Sequence, residues 1–136
     1  MKSTNYFSTF IEVADDCPVT EAEVQKEKGD NKTVPLLHYE LIFENPYKYT
    51  QDDIIFTVYA IRNNFDPDDQ EERQKFFSKG QPCLRSSSLG KRYGWGVHCD
   101  ENGKVAVYPM ESPEYQKFLN DDKIKKITAM RTKRVK

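Results

Sequence analysis

Between residues 78 and 98 the chain reads SKGQPCLRSSSLGKRYGWGVH, the stretch whose residue types and spacing best suit chemistry. Four cations, Lys79, Arg85, Lys91 and Arg92, stand there without a single carboxylate, beside Gly80, Gly90, Gly94 and Gly96 and the consecutive serines Ser86, Ser87 and Ser88. Such a backbone can present N–H and O–H donors, together with positive charge, to a phosphate or carboxylate. If residues 93–99 form a strand, Gly94 and Gly96 leave one of its faces bare and let a ligand approach the backbone. The segment therefore predicts a site for a small anionic ligand or a partner's acidic group. Lys79, Arg85 and Arg92 would supply charge and Ser86 with its neighbours hydrogen bonds. Tyr108 or His98 would form a stacking wall, with Trp95 beside them. The competing reading is a solvated loop whose glycines serve only the twist of a sheet.

Two residues in this region invite a catalytic reading. Arg85 would depress the pKa of the Cys83 thiol, and His98 would act as its base if the following strands folded against the loop. The Cys-x5-Arg loop of a phosphatase is absent, because Leu89 stands where the arginine belongs. A small buried hydrophobe is the ordinary alternative for a free cysteine. His98, Cys99 and Asp100 suggest a metal only superficially, since adjacent strand residues point to opposite faces. No spacing supplies the four ligands of a zinc site, so no metal is expected. None of the common nucleotide, hydrolase or zinc signatures occurs, and no cofactor is expected.

The rest of the composition narrows the classes. The 136 residues carry a net charge of −1, which argues against wholesale electrostatic capture of nucleic acid. Residues 123–136 hold seven Lys or Arg and no acid, so this end offers a weak phosphate-binding arm or a solvated tail from about residue 131. Apolar residues make up 37% and charged residues 32%, but eight Tyr, eight Phe and one Trp promise a small aromatic core that disordered chains lack. One domain is expected at this length. No run approaches the roughly 18 apolar residues of a membrane span, and the first ten residues lack a signal peptide's apolar region. Three cysteines without CxxC spacing suit free thiols and a cytoplasmic setting.

These residues need elements to position them. Residues 6–13, YFSTFIEV, predict a strand, and 19–31 a connector with one helical turn at Thr20 as an option. Residues 33–45 predict a helix capped by Thr33 with Pro35 in its first turn. Residues 50–63 predict another, opened by a capping-box-like Thr50 to Asp53 pair, although its β-branched residues leave a buried strand as the alternative. A third helix is expected over about 68–78. Asn102-Gly103 marks a hairpin over 93–109. A three-residue loop with Gly103 left-handed places Trp95, Val97 and Cys99 on one face with Val105 and Val107, the more coherent of two registers. Ser112-Pro113 opens a last helix to about residue 120, and 124–130 would form a C-terminal edge strand with lysines on it. The expected fold is α+β: a small, mostly antiparallel sheet with three to four helices packed on one face.

Three stretches, MKSTNYFSTFIEVADDCPV (1–19), YTQDDIIFTVYA (49–60) and FFSKGQPCLRSSSLGKRYGWGVH (76–98), resemble a family of small bacterial proteins filed as a domain of unknown function. The resemblance spans nearly the whole chain. It is most specific at residues 79–85, 91–96 and at His98. It implies a single-domain, soluble, cytoplasmic bacterial protein, and it brings no catalytic residues with it.

Overall fold

Short polar caps start the helices. The Thr33 side chain accepts from the backbone of Leu36 at the head of α1 (Val34–Phe43). At α2 (Gln51–Arg62), Thr50 Oγ1 accepts from Asp53 N–H while Asp53 Oδ2 accepts from Thr50 N–H, a reciprocal capping box with Asp in the third position. Asp69 caps α3 (Gln70–Phe77) and Ser112 caps α5 (Pro113–Leu119), whose first residue is proline. Each cap satisfies a donor that the first turn leaves without an intrahelical partner. The structure is a computed structural model and describes residues 2–24 and 32–131. Part of the expected 19–31 connector, residues 25–31, and the end of the basic tail, residues 132–136, lie outside the described residues.

Four strands, β1 (Thr9–Glu12), β2 (Trp95–Cys99), β3 (Val105–Pro109) and β4 (Lys125–Thr128), form one sheet in the order β3-β2-β1-β4. The hairpin takes the three-residue register: Cys99 faces Val105 and Val97 faces Val107, with Gly103 at φ +80°. β1 pairs antiparallel with β2 and parallel with β4, so the sheet is mixed. β4 is an edge strand, as its lysines led one to expect. Lys125 and Lys126 of the basic stretch thus belong to the sheet.

The two faces carry different helices. Ile11, Trp95, Val97, Cys99, Val105 and Val107 face a core with Ile42 of α1, Ile54 of α2, Leu84 and Leu89. Leu84 belongs to a single 3-10 turn (Leu84–Ser86) and Leu89 to a one-turn helix, α4 (Ser88–Lys91), inside what the sequence presents as loop. Fully burying each such side chain contributes about 1.5–3 kcal/mol. Phe10, Gly96, His98 and Tyr108 occupy the other face, against Tyr115 and Phe118. The expectation of helices on one face is therefore corrected. β3 and β4 lie at opposite edges of the sheet, and α5, the element between them, crosses the second face to connect them.

The N-terminal segment is tied down by a carboxylate. Asp52 is 1% exposed and accepts from Ser3 Oγ, Thr4 N–H and Thr4 Oγ1, each at 2.7 Å, while its own N–H donates to Asn5 Oδ1. Gln51, fully buried beside it, accepts from Leu84 N–H at 2.9 Å and donates to Cys99 Sγ at 3.6 Å. The start of α2 thereby anchors both the N-terminus and the loop that follows α3.

Candidate functional site

The cationic segment and the glycine face do not meet. Leu84 and Leu89 hold residues 84–91 on the core side of the sheet. The Gly96 face looks the other way and is filled: a Cβ at Gly96 would lie 2.6 Å from the rings of both Phe10 and Tyr115. The expected hollow between them is thus occupied by the chain's own aromatics. Trp95 lies on the core side, its Nε1 donating to Glu23 O at 2.9 Å and its ring 5.0 Å from that of Tyr39. Lys79 and Arg92 are exposed, at the ends of α3 and α4. Arg85 extends the outer edge of β4, with Nε donating to Thr128 O and its own carbonyl accepting from Met130 N–H, both at 2.9 Å. Ser86 sits beside it, its hydroxyl donating to Met130 Sδ.

His98 and Tyr108 do come together, but around a third residue. Tyr47 Oη lies 2.8 Å from both His98 Nδ1 and Tyr108 Oη, and His98 stacks on Phe118 at 4.2 Å. Burial pushes the Tyr47 hydroxyl up, with Tyr108 adding to it, and burial pushes His98 down against the pull of Asp100 and Asp121. This cluster lies on the sheet face opposite Cys83, so the two residues of the catalytic reading are not partners. Cys83 instead has Tyr6 Oη at 3.7 Å.

A cleft of about 470 Å³ opens on the other side of the 81–88 loop, within the size range of small-molecule sites. One wall is a stripe of α2, formed by Ile55, Val58, Tyr59 and Arg62, spaced so that they share a face, with the C-cap Asn63 at its end. The first turns of α1 supply Val34, Pro35 and His38, and Phe76 comes from α3. The loop contributes Gln81, Pro82, Cys83, Ser86, Ser87 and Ser88. Gln81 is held in place by donating to Phe76 O at 2.7 Å. Tyr59 and Phe76 pack with ring centroids 4.5 Å apart and planes tilted by 33°, giving the cleft an aromatic wall. Arg62 is exposed and forms no ion pair among the described residues.

The polar end of the cleft is His38 with Ser87. His38 Nδ1 lies 3.0 Å from Ser87 Oγ, and that oxygen also accepts from Leu89 N–H at 3.2 Å as the cap of α4. Burial lowers the His38 pKa to about 4, so the ring is neutral at pH 7. Among the described residues, no fully enclosed side-chain nitrogen or oxygen is without a partner. His38 Nε2 makes no hydrogen bond to those residues, so it is not fully enclosed, and the residue lines the cleft.

Of the residues that the sequence marked for a ligand, Ser86 lines this cleft together with its neighbours Ser87 and Ser88. His38, Tyr59, Arg62 and Phe76 carry no such mark. The available signal was a lone histidine on an otherwise apolar helix face and an arginine closing the apolar stripe of α2. Neither shows which loop will cover it. No curated protein and no solved structure matches the chain. Its sequence matches a family along residues 1–135, nearly end to end, and on that extent the chain belongs to DUF6157, a family of unknown function.

Proposed function

We propose that the chain is a non-enzymatic binding module that holds a small organic anion in the cleft between α1, α2 and the 81–88 loop, in the cytoplasm of a bacterium. The observation that carries this reading is the cleft itself, which joins an apolar, partly aromatic wall to a cluster of hydroxyls and an arginine that has no ion pair among the described residues. Ligand sites combine a mostly apolar lining with a few convergent polar groups in this way. The apolar body of the ligand would lie along Ile55, Val58, Tyr59 and Phe76. Ser86 and Ser88 would bond its polar head, and Arg62 at the rim would favour negative charge. Three free cysteines suit a reducing compartment. Among the described residues no helix is long and apolar enough to cross a membrane.

The test is a titration of the ¹⁵N-labelled chain with aliphatic and aromatic monocarboxylates, followed by amide shifts and melting temperature. Saturable shifts at residues 86–88 and on α2 support the reading. At a hundredfold excess over Kd, binding adds about 2.7 kcal/mol to stability and raises the melting temperature by several degrees. Shifts confined to the Lys79, Arg92 or hairpin surfaces would overturn it.

A further inference from the structure

We infer that the occupant of the cleft is recognised through a carbonyl or carboxylate oxygen that accepts a hydrogen bond from His38 Nε2–H, an inference that rests on the binding reading above and names the head group it selects.

Ser87 Oγ has one hydrogen and accepts from Leu89 N–H. Its only other side-chain partner among the described residues is His38 Nδ1, 3.0 Å away. Two arrangements are open to a neutral ring. In the first, Ser87 donates to a bare Nδ1, and the ring proton sits on Nε2. In the second, Nδ1–H donates to Ser87, the serine hydrogen then has no acceptor among the described residues, and Nε2 presents a lone pair. The first leaves a single donor unmet, Nε2–H, on a ring that lines the cleft. The second leaves two groups unmet, the Ser87 hydroxyl hydrogen and the Nε2 lone pair, on residues that are 6% and 9% exposed, and leaving largely buried polar groups unpaired is costly. The first arrangement is therefore the one assigned to the free protein.

An Nε2–H at the cleft wall selects against ligands that present only donors. An ammonium head would face the imidazole N–H and, at the rim, the Arg62 guanidinium. A carbonyl or carboxylate oxygen completes the network, and Arg62 tips the preference towards the anion. Ser87 acts as a positioning residue, since it holds the tautomer without needing to touch the ligand.

Long-range ¹H–¹⁵N spectra of histidine-labelled protein read the tautomer directly. The chain has two histidines, and a His98→Gln sample assigns them. The expected pattern for His38 is a protonated Nε2 and a bare Nδ1; a protonated Nδ1 would overturn the inference whatever the cleft binds. The second arm titrates wild type, His38→Gln and His38→Phe with phenylacetate, 4-methylpentanoate and phenethylamine. Both carboxylates should shift residues 86–88 saturably and the amine should not. His38→Phe should weaken carboxylate binding about tenfold, one hydrogen bond's worth, while His38→Gln, which keeps a donor near the Nε2 position, should stay within about threefold. Carboxylate binding that is unaffected by His38→Phe would remove His38 from recognition and leave the binding cleft standing. Failure of both carboxylates to shift any cleft residue would remove the binding reading and this inference together.

Discussion

The carboxylate of Asp52 accepts from both the backbone N–H and the hydroxyl of Thr4, each at 2.7 Å, although the two residues are 48 positions apart. With the Ser3 hydroxyl on its other oxygen, this buried acid fastens the N-terminal segment to the first turn of α2. Hydrogen bonds to a charged acceptor contribute about 1.5–3 kcal/mol each, less where the donors can return to water. Asp52→Ala should therefore cost about 3 kcal/mol in urea unfolding and collapse hydrogen-exchange protection at Thr4. A loss below about 1 kcal/mol would show that the segment is held by something else.

Gly96 is a packing glycine. Its missing Cβ is what lets Phe10 and Tyr115 close over β2, and both rings are buried. Gly96→Ala should destabilise the fold by about 1–3 kcal/mol through overpacking, measured as a lower melting temperature. Ala106→Gly, on the same face, would lose only a methyl group and serves as the control.

The neutral state of His38 sets a pH dependence. Its folded pKa is about 4 and the unfolded reference is about 6.5. Between those values the unfolded chain binds more protons than the folded one, so stability rises with pH. The full contribution is present above about pH 6.5 and is lost as pH falls towards 4, on the order of 3 kcal/mol in all. His38→Gln should flatten that part of the profile relative to wild type. Parallel curves for the two proteins between pH 4 and 6.5 would contradict the assignment.

The thiols should react unequally. Cys99 is fully buried, and burial raises its pKa to about 12, so in the native protein it should resist iodoacetamide at pH 7.5. Cys83 lines the cleft, and its labelling should slow when phenylacetate or another cleft ligand is bound. Peptide mass mapping after timed alkylation reads both. Native labelling of Cys99 ahead of Cys83 would conflict with the packing described above.

Much of the architecture was legible in the chain because its causes are local. Thr33, Thr50 and Ser112 cap helices wherever they stand before a helical run, and Gly103 sets the hairpin register through its own φ. The alternation of Trp95, Val97 and Cys99 fixes which side of β2 is apolar. The bare strand face and the cationic loop were also real features of the sequence. Their meeting was not, because that depended on which side of the sheet each was carried to.

By itself, then, the amino-acid order determined the element types, the hairpin register, the edge position of the lysine strand and the presence of three hydroxyls in the loop after α3. Only the tertiary structure decided that α5 must cross the second face to reach the far edge, which laid Tyr115 over Gly96 beside Phe10 of β1. The same packing brought His38 to Ser87 and left a cleft along α2. The reason is physical: caps, turns and alternation act over a few residues, whereas a cavity exists only where surfaces from distant segments fail to fill the space between them.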